Sequence, residues 1–310
     1  MKGKFLDLLV CPECKSSLDL EIKLREGDEI KLGTLLCQGC KRSYPITGYI
    51  PRFVEADRYV DSFSFEWNTF YDVQMDILNN SDESDKTFRY KTGWKPEDLK
   101  NKLILDIGIG AGRFADIVSG WGGEVVGIDL SFAVEAAFKN VGKRPNVHII
   151  QADIFNLPFK NEVFDHMYSI GVLHHTPDTK KAFNSVLPFL KKGGEFAVFI
   201  YEKGFYHRYS DLWRKITVKL PLRVMYILSS IAIPLYYIHK IPFLGPALQF
   251  AFPTANWPKW KWRWLDTFDW YTPKYQWKHT YPEVYRWFKE NGFSDMELFD
   301  YPVCMRGKKD

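Results

Sequence analysis

The sequence predicts an α/β protein. A parallel sheet with helices on both faces is preceded by a small β-rich ribbon and followed by a helical, aromatic insertion. Three observations predict this. Two C-x2-C pairs stand near the start of the chain, at Cys11/Cys14 and Cys37/Cys40. Apolar strand-like runs alternate with helical patterns from Leu103 to Tyr201. Residues 205–268 are then unusually rich in aromatic and basic residues. The order predicts a ribbon over 1–54, a helical cap or linker over 55–102, an α/β core over 103–204, the insertion over 205–268, and completion of the core over 269–310.

The chain has 310 residues, of which 46% are hydrophobic, so a large core is possible and global disorder is excluded. Its net charge of +4 is too mild to argue for a nucleic-acid protein. The residues at the start show no secretory pattern, and four of five cysteines are paired by spacing. Both point to metal ligation in a reducing, cytoplasmic setting.

Each C-x2-C pair places two thiolates on one tight turn, and 22 residues separate the pairs. Four soft ligands satisfy tetrahedral Zn²⁺ and leave no open position, so Cys11, Cys14, Cys37 and Cys40 read as a structural site. Between the pairs, Leu18–Leu36 alternates apolar and polar residues around Gly27-Asp28, which predicts a hairpin. CPECKSSL and LLCQGCKRSYPITGYIPRF resemble the small zinc-binding partner proteins that activate tRNA and translation-factor methyltransferases. That resemblance covers about Phe5–Phe53 and implies a folding and docking module.

The run Leu103–Gly112 reads as a strand entering a glycine turn, with a helix starting at Arg113. Further strands are predicted at Glu124–Leu130, Asn146–Ala152, Phe164–Ile170 and Glu195–Tyr201. Helices are predicted at Ser131–Asn140, with Ser131 as N-cap, and at Thr179–Leu190, ended by Gly193-Gly194. Gly108, Gly110 and Gly112 follow G-x-G-x-G, whereas the dinucleotide fingerprint needs glycine where Arg113 stands. The turn still admits a ligand against the backbone. Asp129, 21 residues after Gly108, ends the second strand, where a carboxylate can accept both hydroxyls of a ribose.

The segments LDIGIGAGRF, VVGIDLS, QADIFNLPF, FDHMYSIGVLHHTPD and LKKGGEFAVFIY resemble the successive motifs of a class I S-adenosylmethionine (SAM)-dependent methyltransferase of the type 11 group. The resemblance implies a Rossmann-like, seven-stranded sheet with SAM as cofactor. It implies that Asp106 and Gly108, Gly110 and Gly112 hold the methionine end, and that Asp129 with Leu130 takes the ribose. Asp153 with Ile154 would face the adenine, and Ser169, Ile170 and Gly171 would line the floor beneath the sulfonium. The residues alone leave other roles open: Asp106 as a turn former, Asp129 as a helix N-terminal charge, Asp153 as a loop acid. In Phe63–Trp94, the residues Trp67, Arg89 and Trp94 read as core packing ahead of ligand contact.

Methyl transfer to a hydroxyl or amine needs a proton acceptor within reach. His174 and His175 follow the fourth strand and are placed for this, with loop pinning as the alternative. Tyr275 and His279, in a loop predicted over Asp269–Thr280, are placed to orient an acceptor, with packing as the alternative. Cys304 reads as core.

Phe205–Leu265 carries nine Lys/Arg and one acid, Asp211, for a charge of +8 in an otherwise mildly acidic chain. Its apolar run Val224–Ile238 is too short to span a bilayer and contains Pro234. With the Trp/Lys stretch Trp257–Trp264 it suggests peripheral membrane contact. A substrate lid, an oligomer surface and nucleic-acid binding stay open. The favoured function is methylation of a small or lipid-linked acceptor, such as a glycan. An RNA or protein methyltransferase, and a non-catalytic SAM-binding scaffold, are the alternatives.

Overall fold

A computed structural model describes residues 1–54, 58–204, 208–301 and 303–310. Residues 55 and 205, where the sequence places two domain boundaries, lie outside the described residues. The ribbon is an antiparallel sheet of β1 (Leu18–Glu26), β2 (Glu29–Cys37), β3 (Ser43–Thr47) and β4 (Ile50–Pro51), in that order. Helices α1 (Asp61–Thr69), α2 (Asp76–Asn79), α3 (Glu83–Thr92) and α4 (Pro96–Leu99) lead into the core.

The core then alternates as the sequence predicts. The elements are β5 (Leu103–Ile107), α5 (Arg113–Gly120), β6 (Glu124–Asp129), α6 (Ala133–Val141), β7 (Val147–Gln151), β8 (Phe164–Ile170), α7 (Thr179–Val186) and β9 (Leu190–Phe199). Five helices form the insertion and its exit: α8 (Arg208–Thr217), α9 (Leu222–Ser229), α10 (Ala232–Ile238), α11 (Leu244–Ala251) and α12 (Trp260–Tyr271). Helix α13 (Tyr281–Glu290) and the hairpin β10 (Phe293–Phe299) and β11 (Cys304–Lys309) complete the chain.

The main sheet has seven strands in the order β10-β11-β9-β8-β5-β6-β7. β5 to β9 are parallel, and β11 runs antiparallel between β9 and β10. The chain moves outward from β5 to β7 and then returns to β8 on the other side of β5. That reversal opens a crevice at the carboxyl ends of β5 and β8. Alternate residues feed opposite faces. Leu105, Ile107, Val126 and Ile128 join one apolar core; Ile104, Val125, Ile149 and Tyr168 join the other.

Two local predictions differ from the structure. Helix α7 ends at Val186, and Gly193-Gly194 lies inside β9. Pro188 already prevents the helix from continuing, and the glycines serve a strand irregularity: the β8–β9 register shifts between Phe164 and His166, and Gly193 has φ +72°. Helix α6 starts at Ala133, two residues later than expected, with Phe132 before it; the Ser131 hydroxyl still accepts from Ala133 N–H at 3.1 Å, as a cap does, and donates to Asp129 Oδ1 at 2.7 Å.

The ribbon and the main sheet share one core. Phe5 stacks on His148 of β7 with ring centroids 4.5 Å apart. Val10 N–H donates to the Pro158 carbonyl at 2.9 Å and Lys160 N–H to the Leu8 carbonyl at 3.1 Å. Arg52 bridges Gln151 in parallel, and Phe53 N–H donates to the Gln151 carbonyl at 2.9 Å. The ribbon thereby covers β7, the edge strand of the sheet. Phe5 is 2% exposed, so Phe5→Ala is expected to cost about 3 kcal/mol and to lower the melting temperature of the whole protein by several degrees. A melting curve superimposable on wild type would show that the stacking contributes nothing.

Residues 257–264 do not form the wholly surface-facing stretch expected of a membrane boundary. Trp262 and Arg263 are buried within α12, whereas Trp257 and Trp260 are partly exposed. Pro234 falls in the first turn of α10, where its missing N–H costs nothing. No helix among the described residues is long and apolar enough to cross a membrane.

Candidate active site

A cleft opens where the crevice is expected. It encloses about 1110 Å³ of non-protein space, including open solvent at its mouth. One end is made by the glycine turn after β5 and the ends of β6 and β7. The other is made by the segments after β8 and β9 and by α12.

The glycine turn is shaped for close approach. Gly108 has φ +81°, and a Cβ there would meet the Val172 side chain at 2.4 Å. A Cβ on Gly110, at φ +53°, would point at the Trp67 indole 3.3 Å away. Both glycines line the cleft, while Gly112 precedes α5 and lies outside its lining. Asp129 lines the cleft and is held firmly: Oδ2 accepts from Gly110 N–H at 3.1 Å, and Oδ1 from Ser131 N–H at 2.9 Å. Burial raises its carboxyl above the usual range, and the Ser131 bonds oppose that. Leu130, Ile154, Ile170 and Gly171 also line the cleft.

Three other candidates stand behind the wall. Asp106 is buried beneath the turn, where desolvation pushes it up to about 7. Asp153 lies outside the lining; its Oδ1 accepts from Phe155 N–H at 3.0 Å, which orders the turn that puts Ala152 and Ile154 on the wall. Ser169 is buried and donates to the Ile107 carbonyl at 3.4 Å, tying β8 to β5.

Of the four acid–base candidates, only His175 lines the cleft. Its Nδ1 lies 2.8 Å from the Tyr275 carbonyl, which can only accept, so Nδ1 carries the hydrogen and Nε2 is left as the acceptor. Burial lowers His175 to about 4, so the ring is neutral near pH 7. His174 sits behind it, fully buried, with Nδ1 accepting from Tyr201 N–H at 3.3 Å. Tyr275 contributes its carbonyl, and its ring packs on Tyr59. His279 packs against Trp287 and pairs through its backbone with Glu202.

The sequence reading assigns no role to Tyr201 and places Asp269 only at the start of a loop, yet both close the far end of the cleft; Phe63 and Trp67 of α1 line it too, although Trp67 reads as core packing ahead of ligand contact. The Tyr201 hydroxyl donates to Asp269 Oδ2 at 3.2 Å. Asp269 belongs to the last turns of α12 and not to a loop, because nothing breaks that helix before Pro273. A signal for Tyr201 was available: it is the last residue of the predicted fifth strand, at the carboxyl end where cleft residues are expected. Trp94 is core, and Arg89 pairs with Asp85.

The four cysteine sulfurs lie within 4.8 Å of one another, with Cys11–Cys40 at 3.6 Å and Cys14–Cys37 at 3.3 Å. Tetrahedral zinc with bonds of ~2.3 Å requires sulfur separations of roughly 3.8 Å, so the cluster fits after small adjustment. Each knuckle ends in a left-handed lysine, Lys15 at φ 59° and Lys41 at φ 62°. A Cβ on Gly39 would strike the Ser16 hydroxyl at 2.4 Å, so the second knuckle needs glycine there.

Comparison with known proteins agrees with this geometry. Residues 105–198 match the family described as a methyltransferase domain, and residues 2–48 match the family described as Trm112p-like protein. Phosphoethanolamine N-methyltransferase 2 of Caenorhabditis elegans is 29% identical over 161 residues, covering 49% of this chain and 35% of that protein. A tRNA U34 carboxymethyltransferase of Psychromonas ingrahamii is 35% identical over 105 residues, 32% of each chain. Sterol 24-C-methyltransferase erg6 of Schizosaccharomyces pombe is 24% identical over 159 residues, 50% of this chain and 41% of that one. The matched segment thus spans 32% to 41% of the length of these relatives. Among solved structures, Haemonchus contortus phosphoethanolamine N-methyltransferase 2 superposes with a TM-score of 0.46 at 17% identity, over 80% of this chain and 47% of that one. Sheet order, glycine turn and family match define the class: a methyltransferase domain of the SAM-dependent, Rossmann-like kind. This chain joins that domain to a Trm112p-like zinc ribbon.

Proposed function

We propose that the protein transfers the methyl group of SAM to a small or lipid-linked acceptor. One observation carries the reading: a single cleft is lined both by Asp129 and, at its other end, by the Tyr201–Asp269 pair, so that donor and acceptor would meet in one space. Asp129 with Leu130 would hold the ribose, the backbone at Gly108 and Gly110 the methionine end, and Ala152 and Ile154 the adenine. When bound, SAM supplies a sulfonium methyl group for in-line attack, its C–S electrons returning to sulfur. The protein aligns the two ends and excludes water, while His175 Nε2 is the acceptor available for a proton.

The insertion supports a lipid-linked acceptor. Ile227 of α9 is 69% exposed, Tyr237 of α10 67%, and Phe243, just before α11, 94%. Lys215, Lys219, Arg223 and Lys240 lie on the same segment. A segment with this composition suits an anionic bilayer face, apolar side chains entering between headgroups and basic side chains pairing with them. The Trm112p-like ribbon favours the second reading, an RNA or protein acceptor.

Incubation with methyl-labelled SAM and a cell extract, followed by fractionation, separates these readings. Label is expected in lipid or small-molecule fractions; label confined to RNA or protein would overturn the acceptor class. Sedimentation with vesicles containing phosphatidylglycerol is expected to carry down wild type and about fivefold less of an Ile227→Asp/Phe243→Asp double variant. Equal sedimentation of the two proteins would remove the insertion from membrane contact.

A further inference from the structure

The far end of the cleft holds more buried carboxyl groups than the donor reading needs. Glu66, on α1 between the lining residues Phe63 and Trp67, is 0% exposed, and neither carboxylate oxygen has a hydrogen-bond partner. Helix α1 packs on α12, which puts Glu66 within electrostatic reach of Asp269, which lines the cleft, and of Asp266 one helical turn earlier. Asp269 accepts from Tyr201, and Asp266 accepts from Trp257 Nε1 and, at 3.3 Å, from Gln74 Nε2. Among the described residues none of the three acids forms an ion pair. Among nearby cations, Lys91 lies within electrostatic reach of Asp266 and sits over the Phe199 and Tyr301 rings, while the guanidinium groups hydrogen-bond elsewhere. Arg214 donates to the carbonyls of Trp270 and Pro273, and Arg113 to Ser84, Gln74 and Thr87.

Burial raises all three carboxyls, with repulsion from Asp269 adding to it at Asp266 and Glu66 and with Tyr201 and Arg214 opposing it at Asp269: Asp269 rises to about 6, Asp266 to about 7, and Glu66 well above its ordinary range. An acid buried without a partner is costly, and a cation arriving in the cleft is what would let these groups ionise. Aromatic rings stand at the same end. Phe63, His175 and Tyr201 line it, with Phe63–His175 centroids 5.2 Å apart and His175–Tyr201 centroids 5.5 Å apart. Ring faces beside carboxylates are the chemistry that holds alkylated ammonium groups.

The position separates this end from the ribose end. Asp129 ends β6, whereas Tyr201 follows β9; three strand spacings, roughly 14 Å, lie between them. We propose that the Glu66–Asp269–Tyr201 end of the cleft is the acceptor subsite and that it recognises an organic cation, an alkylated ammonium group. The proposal rests on reading the Asp129 end as the donor site.

The test uses full-length, zinc-loaded protein saturated with S-adenosylhomocysteine. Choline is the probe, and 3,3-dimethylbutan-1-ol, its uncharged carbon isostere, is the control. Wild type is expected to bind choline about tenfold more tightly than the isostere. Glu66→Gln and Asp269→Asn are each expected to lose about fivefold in choline affinity, with isostere and S-adenosylhomocysteine affinities unchanged. Glu66→Gln is isosteric and removes a buried acid, so it is expected to fold; melting curves and zinc content check both variants. A merely structural Glu66 would move all ligands together with the melting temperature. Equal binding of choline and the isostere by wild type overturns the proposal. So does undiminished choline affinity in both variants, or a Glu66→Gln defect confined to SAM, which would assign the acids to the sulfonium. Failure of wild type to bind S-adenosylhomocysteine would refute the donor reading instead, and choline binding measured without it would still judge the acidic end.

Discussion

Asp129→Ala is expected to weaken SAM binding about 100-fold while leaving one zinc per chain. Two hydrogen bonds from ribose hydroxyls to a carboxylate are worth about 1.5 kcal/mol each, and 3 kcal/mol is roughly two decades of affinity. The substitution also frees Gly110 N–H and Ser131, which the carboxylate now holds. The glycine turn would therefore lose its anchor along with the ligand. Asp129→Asn separates the two effects. It keeps an acceptor oxygen but loses the charge, and an intermediate loss of about tenfold is expected. Titration calorimetry with SAM reads all three proteins. Unchanged affinity in the alanine variant would remove Asp129 from the donor site.

Zinc removal is expected to destabilise far more than the ribbon. Structural zinc in small modules carries a folding free energy of about 10 kcal/mol or more, and losing one of four thiolates forfeits much of it. Here Phe5, Leu9, Cys11, Leu35 and Cys37 belong to the same apolar cluster as Ile128, Ile150 and Phe159 of the main domain. Cys37→Ser, or chelation of wild type, should then lower the melting temperature by about 10 °C in a single cooperative transition. A ribbon that melts separately, with the remaining transition unmoved, would show that the shared core does not couple the two parts.

What could be read from the sequence was set by chemistry acting over short spans. Two thiolates on one turn need a fixed spacing, and a glycine turn followed by a strand-end acid needs another, so the cysteines, Gly108, Gly110 and Asp129 were legible. Strands β5 to β8 were legible because each is a short stretch rich in apolar residues between turn residues. The far end of the cleft was not. Glu66, Tyr201 and Asp269 come from three distant segments, and only the packing of α1 and α12 over the sheet brings them together. Local pattern also misled where one residue type serves two purposes. Gly193-Gly194 reads as a helix stop but allows a strand to bulge, and the Trp/Lys run reads as a surface whereas Trp262 and Arg263 fill the interior.

The ribbon's cover over β7 bears on the life of the newly made chain. A molecule completed during metal starvation would leave an open strand flank and the greasy face of Phe5 uncovered, the features that invite aggregation and proteolysis. Metal supply would then set how much of this protein survives quality control, before any question of how fast each copy turns over.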